Sequence, residues 1–229
     1  KKGETTMSNL MLDVDQAGEL KAAFRRAEWT NGLIKRLCES DLLIDLKRVL
    51  EGAAEIVVKN ILSVFKSVAI EAVTEKKTVD CFTDKKRYAY RDENLDTLLS
   101  EIQAAQPAGR VTAHQLTWGA KFAEMVQGLL GTTETDLAVL SRLAIQTGHV
   151  FTLPQIEALI ECQEAGEDVG LRTDGWANFF LVLNKEECVS FVDAYRSVRR
   201  WNVYLYPLGH GDVWGAGSHF FSHNKTLGL

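Results

Sequence analysis

The reading of the fold turns on Trp176-Ala-Asn-Phe-Phe-Leu-Val-Leu183, Cys188-Val-Ser-Phe-Val-Asp-Ala-Tyr195, Trp201-Asn-Val-Tyr-Leu-Tyr206 and Val213-Trp214 to Phe221. β-Branched and aromatic residues dominate these runs, and short breaks at Asn184-Lys185, Ser197-Val198 and Gly209-His-Gly-Asp212 separate them into four strands. Breaks this short predict an antiparallel meander, since a parallel crossover needs about a dozen residues or more. In Trp201–Tyr206 the period of two puts Asn202, Tyr204 and Tyr206 on one face, and Val203 and Leu205 on the other, the expected core face. The outward face continues through His210, Asp212, Ser218 and His219. From Trp201 to Leu229 the only acid is Asp212 and the only base Lys225. Tyr, Asn, Ser, Gly and His suit a surface that recognises through rigid aromatic area and adaptable hydrogen bonds. On composition alone they suit a plain sheet with cross-strand aromatic pairs equally well.

Helices are expected before this sheet. Residues 15–73 are rich in Ala, Leu, Glu, Lys and Arg without Pro. Their apolar positions recur at three- and four-residue steps through Leu33, Leu37, Leu42, Leu46, Leu50, Ile56, Val57 and Ile61. Breaks are expected at Asn31-Gly32, at Glu39-Ser40 with Ser40 capping a helix from Asp41, and at Gly52. Thr78–Thr83 and Arg87–Arg91 around Asp84-Lys-Lys86 predict a short hairpin over 78–91. Residues 92–102 read as a helix, Ala105-Gln-Pro-Ala-Gly109 as a linker, and Arg110 to Leu116 as a strand. Further helices are expected over Phe122–Leu130 to Gly131, over Leu137–Ile145 to Gly148, and from Thr152-Leu-Pro-Gln155, whose spacing is that of a capping box. The fold class is α+β: a mainly helical region 1–104, a linker 105–112, and an α+β domain 113–229 ending in the sheet.

Composition narrows the class. With 229 residues, 46% hydrophobic and 25% charged, the chain has the profile of a soluble globular protein with enough length for its own core. A net charge of −5 argues against whole-surface attraction to nucleic acid or anionic lipid. No run approaches the ~18 apolar residues of a membrane span, and no export signal is visible. Cys38, Cys81, Cys162 and Cys188 show no paired spacing and read as reduced thiols, so the expected setting is cytoplasmic, with surface display left open. Lys1–Thr6, ahead of Met7, are set aside from the fold reading.

The patterns that carry chemistry each have a plainer explanation. Gly209–Gly217 is glycine-rich, but a phosphate-binding loop needs a strand before it and a helix after it, and here a strand follows. His219 and His223 on one strand would stand roughly 13 Å apart at ~3.3 Å per residue, too far to share an ion. Cys188, mid-strand, reads as a small buried hydrophobe. Lys85-Lys-Arg-Tyr-Ala-Tyr-Arg91 interleaves charge with aromatics as single-strand binders do, but Asp80, Asp84, Asp92 and Glu93 blunt its charge. No cofactor, no metal and no catalytic group is expected. The alternative from another class is a small metal-dependent or hydrolytic enzyme using His210, Asp212, His219 and His223.

Three stretches also carry a resemblance: Leu171-Arg-Thr-Asp-Gly-Trp-Ala-Asn-Phe-Phe180, Arg200-Trp-Asn-Val203, and Val213-Trp-Gly-Ala-Gly-Ser-His-Phe-Phe-Ser-His-Asn224. With Phe122–Val126, Gly131–Asp136 and Phe151–Ile160, they resemble a group of bacterial proteins from small-genome candidate lineages, over roughly residues 119–224. That group is similar to the variable proteins of diversity-generating retroelements, in which a reverse transcriptase rewrites selected codons near the C-terminus. The resemblance implies a non-enzymatic ligand-binding protein with a C-type-lectin-like frame and a diversified surface. The constant scaffold it implies is Trp201, Val203, Val213, Trp214 and Ala216. The variable, ligand-binding set is Asn202, Tyr204, Tyr206, His210, Asp212, Gly215, Gly217 and Ser218, with His219 beside them; His219 and His223 depart from the Arg the group often carries. The implied partner is a protein or cell-surface ligand, with the N-terminal helices as adaptor or homo-oligomerisation module.

Overall fold

The computed structural model describes residues 13–39, 42–53 and 60–223. The expected cap at Ser40, the helical positions Ile56 and Val57, and Lys225 lie outside the described residues. The chain divides into two compact units between residues 58 and 59. Among the described residues no helix is long and apolar enough to cross a membrane.

The first unit is helical, as its composition predicts. It holds α1 (Val14–Arg26), α2 (Asn31–Glu39) and α3 (Leu42–Leu50). Asp13 caps α1 by accepting from the Gln16 N–H at 2.7 Å, while the Gln16 side chain accepts from the Asp13 N–H. Glu28, at φ 56°, closes α1, and Gly52, at φ 72°, follows α3.

The second unit is a large mixed sheet with helices on both faces. In chain order it contains β1 (Leu62–Ile70), β2 (Lys76–Lys77), β3 (Tyr88–Arg91), α4 (Asn94–Leu98), β4 (Ile102–Gln103) and β5 (Gly109–Leu116). There follow α5 (Phe122–Leu130), α6 (Leu137–Gln146), β6 (Val150–Phe151), α7 (Leu153–Glu164), β7 (Asn178–Leu183), β8 (Val189–Ser197), β9 (Arg200–Pro207) and β10 (His219–His223). The sheet runs β1-β5-β10-β7-β8-β9-β3, with β6 beside β7, and β2 pairs β4 separately. On one face α7 packs Leu153, Ile156, Leu159 and Ile160 onto Phe180, Val192, Val203, Leu205 and Phe221. On the other, α5 and α6 pack Phe122, Met125, Val126 and Leu140 onto Phe179, Leu181, Phe191 and Phe220. A strand covered on both faces must be apolar throughout, which is why β7 reads Asn-Phe-Phe-Leu-Val-Leu without alternation.

The predicted helices α5, α6 and α7 form where their caps place them. Gly131 ends α5 at φ 64°, Asp136 accepts from the Ala138 N–H at 2.8 Å to start α6, and Gln155 accepts from the Thr152 N–H at 3.0 Å to start α7. The meander β7-β8-β9 is antiparallel as expected. The fourth strand departs from the meander: β10 returns to lie parallel to β7 and antiparallel to β5. Three expectations upstream are also corrected. The helical reading to residue 73 ends early, because Leu62–Ile70 pairs along β5 and tertiary pairing overrides local propensity. The 78–91 hairpin does not form; β3 pairs parallel with β9 instead. The Arg91 guanidinium fixes the preceding loop through Cys81 O, Thr78 O and Asp96. The 105–112 linker is overtaken by β5, a strand inside the sheet, and the division between units falls at 58/59.

Candidate functional site

The face of the sheet under α5 is only partly covered, and what α5 leaves open is a recess. Strand register builds its floor. Phe220 pairs with Phe179, Phe179 with Asp193, and Asp193 with Tyr204, so one row across β10, β7, β8 and β9 reads Phe-Phe-Asp-Tyr. The next row carries Phe191 opposite Tyr206. Phe122 of α5 stacks on Phe191 with centroids 4.0 Å apart and meets Phe179 edge-on at 5.1 Å. Beyond that helix, Trp176, Asp193, Tyr195, Tyr204, Tyr206, Trp214 and Ser218 line a cavity of about 420 Å³.

The rim is held by the chain between β9 and β10. Trp214 exchanges both backbone hydrogen bonds with Ala120, at 2.8 and 2.9 Å, which pins its indole 4.9 Å from the Phe179 ring and 5.4 Å from Tyr206. Trp176 lies against Gly215, where a Cβ would stand 2.8 Å from its Cζ3. Gly217 takes φ +98°, a conformation side-chain-bearing residues rarely adopt. Tyr195, Tyr204 and Tyr206 form an offset stack, with centroids 5.9 and 6.2 Å apart, extended by Tyr90 at 4.5 Å from Tyr204.

At the floor sits a carboxyl without company. Asp193 is 3% exposed, and its Oδ1 has no hydrogen-bond partner. Burial pushes its pKa up to about 8, and the Asn178 backbone N–H offsets only part of this. The recess therefore holds a mostly neutral acid at pH 7. Burial, then the Asp193 charge, pushes the Tyr206 phenol up to about 12. A buried polar atom left unpaired costs on the order of 1–3 kcal/mol. An apolar residue in this row would avoid that cost, which makes the position a candidate for function. The Trp214 Nε1 is also buried and unpartnered.

The structure sorts the expected site residues. Tyr204, Tyr206, Gly215 and Ser218 line the recess. His210 stands at its edge with its ring 4.8 Å from Tyr206, and its Nδ1 is 3.8 Å from the exposed Asp212 carboxylate. Asn202 shares the face of Tyr204 but is buried, because β3 runs alongside β9 and pairs Tyr90 with it. Ser218 is buried as well. His219 lies on the other face, with its Nδ1 2.7 Å from Gly170 O and its ring 4.5 Å from Phe65, and burial holds its pKa below the ordinary value. Gly215 and Gly217 are fixed by Trp176 and by backbone conformation. The scaffold residues Trp201 and Val203 are core, as is Leu205 on the expected core face, but the scaffold residue Val213 is 62% exposed. Cys188 is exposed in the turn before β8 and not a buried hydrophobe. Of the four residues of the enzyme alternative only His210 and Asp212 lie together, while His219 sits on Gly170 and Phe65 and His223 on Phe151 at 4.1 Å. Among the described residues no group of His, Cys, Asp or Glu is placed to hold a metal ion.

Sequence reasoning passed over Asp193, Trp176 and Tyr195. The available signal was a lone acid inside the apolar run Val-Ser-Phe-Val-Asp-Ala-Tyr. A larger cavity of about 810 Å³ lies near β4, β6 and α7, but its Gln103 and Gln155 amides are already bonded to Thr78, Leu153 and Thr152. No protein-family model, curated protein or solved structure matches the chain.

Proposed function

We propose that this chain is a non-enzymatic ligand-binding protein whose C-terminal sheet is its recognition surface, centred on the recess over Asp193. The observation that carries the reading is the convergence of Trp176, Tyr195, Tyr204, Tyr206 and Trp214 on one cavity of about 420 Å³. Aromatic side chains of this kind supply most of the energy at binding hot spots. The diversified surface implied by the retroelement resemblance, and its C-type-lectin-like frame, belong to the same proposal. The set able to vary without disturbing the sheet is narrowed to Tyr204, Tyr206, His210 and Asp212, because Asn202, Ser218 and His219 are buried and both glycines are constrained. The N-terminal helices are the adaptor or self-association module; their exposed Leu42, Leu43, Ile44 and Leu50 support that role.

The test is a binding screen of fragments of every charge class, read by the indole N–H resonances of Trp176 and Trp214. Ligands that shift those signals in the wild type and not in a Tyr204→Ala/Tyr206→Ala variant support the reading; shifts that survive in that variant, or none at all, end it. The diversification part predicts a reverse transcriptase gene beside this one, with a near-copy of the codons for residues 200–224. Absence of both from complete genomes of close relatives would remove that part.

A further inference from the structure

The walls of the recess are aromatic, and the ionisable side chains that line it are one carboxyl and three phenols. No Lys, Arg or His lines it, so no cationic side chain there would balance an anion. The nearby guanidinium of Arg172 is taken up by the Asp174 carboxylate and by Gly217 O at 3.1 Å. The one unpaired acceptor at the floor is Asp193 Oδ1, on a side chain more than nine-tenths buried. Electron-rich rings and an open carboxylate lone pair favour the same kind of group, a cation with an N–H to donate.

We propose that the recess takes a small organic cation, an alkylammonium group that donates an N–H hydrogen bond to Asp193 and rests its methylenes against Tyr204, Tyr206 and Trp214. This rests on the recess being the ligand site and names what it selects. The cavity of about 420 Å³ fits a head group and a short chain, whether a free amine or a lysine side chain presented by a polypeptide. Binding needs the ionised carboxylate, so the cation displaces the proton that Asp193 carries when the recess is empty. The groups facing that carboxyl are the phenols of Tyr195 on its own strand and of Tyr204 and Tyr206 on β9, with His210 behind Tyr206. The neighbouring Asn178 and Phe179 of β7, and the Trp176 and Trp214 segments, bring no ionisable side chain to it.

The experiment titrates the intact chain at pH 8 with n-butylammonium, N-acetyl-lysine methylamide, 1-butanol, butyrate and methyl glucoside, following the Trp176 and Trp214 indole signals. Both cations should bind at least tenfold more tightly than the neutral and anionic probes. A free-amine site would favour n-butylammonium and a lysine-reading site the lysine derivative. Asp193→Asn should weaken the cations tenfold or more and leave 1-butanol unchanged, and cation affinity should fall about tenfold from pH 7 to pH 6. Equal affinity for 1-butanol, butyrate or methyl glucoside, or an Asn variant that binds cations like the wild type, would overturn the cation assignment while leaving a binding recess. Silence of the indole signals toward every probe would overturn both readings.

Discussion

Replacing Asp193 by Asn should stabilise the protein, increasingly so as pH rises. The carboxyl moves from an ordinary value of 3.8 in the unfolded chain to about 8 in the folded one. Between those values the folded state keeps a proton that the unfolded state has released, so stability falls as pH climbs. The loss is about 1.4 kcal/mol per pH unit, which gives about 4 kcal/mol between pH 5 and pH 8. Asn occupies nearly the same volume and cannot ionise. The histidines that also titrate in this range are common to both proteins, so the wild-type-to-variant difference isolates Asp193. Urea unfolding followed by tryptophan fluorescence at pH 5, 6, 7 and 8 measures it. The Asn variant should gain on the wild type steadily through the series and lead by several kcal/mol at its end. A difference that stays flat within about 0.5 kcal/mol would mean that the carboxyl keeps its ordinary pKa, and the account of an unpartnered acid would be refuted.

Val203→Ala should cost about 2 kcal/mol by removing fully buried methyl groups, while Val213→Ala, at an exposed position, should stay within about 0.5 kcal/mol in the same denaturation assay. Gly217→Ala should destabilise by about 1–2 kcal/mol because φ +98° disfavours a side chain, which thermal melting would register. The Glu157 carboxylate accepts from the Phe82 N–H at 2.9 Å and pairs with Lys76, so Glu157→Ala should cost about 3 kcal/mol on unfolding, against under 1 for exposed Glu186→Ala. Burial, then the charge of His149, depresses His114 to about 4. Its contribution is present above the ordinary 6.5 and lost as pH falls from there toward about 4, so His114→Gln should flatten the acid side of the melting curve.

Local chemistry made much of the second unit readable. The caps at Asp136 and Thr152, the glycine after α5, and the short turns between β7, β8 and β9 are decided by neighbours in sequence. The alternation in β9 correctly sent Val203 and Leu205 to one side. What it could not convey is that β3 runs alongside β9, so Asn202 is buried although its face was rightly assigned. β1 was misread because Leu-Ser-Val-Phe-Lys-Ser-Val-Ala-Ile lacks strict alternation, and the irregularity between Val64 and Lys66 shifts its register against β5. The strand reading of Arg110–Leu116 holds in β5; only its first residues fall in the expected linker, because a proline and a glycine sit there. The parallel pairings of β10 with β7 and β3 with β9 join segments far apart in sequence, which no local pattern announces. Asp193 belongs to the same class, since its aromatic surroundings exist only once β7, β8 and β9 are in register.

The position of β10 bears on how this sheet is assembled. β1 and β5 form one ladder and β7, β8, β9 and β3 another, and among the described residues of the sheet only the five of β10 join them. That strand follows all the other described strands in sequence, so on a ribosome both ladders are synthesised before the piece that bridges them. Until it arrives, β5 and the Asn178–Phe180 part of β7 present unpaired edges, the kind that recruits strands from other chains. Long-range closure of this sort slows folding, and the interval before closure is when the nascent chain is most exposed to aggregation. Hydrogen exchange should register the same seam in the finished protein, with β1 and β5 opening together as one unit before the remainder unfolds.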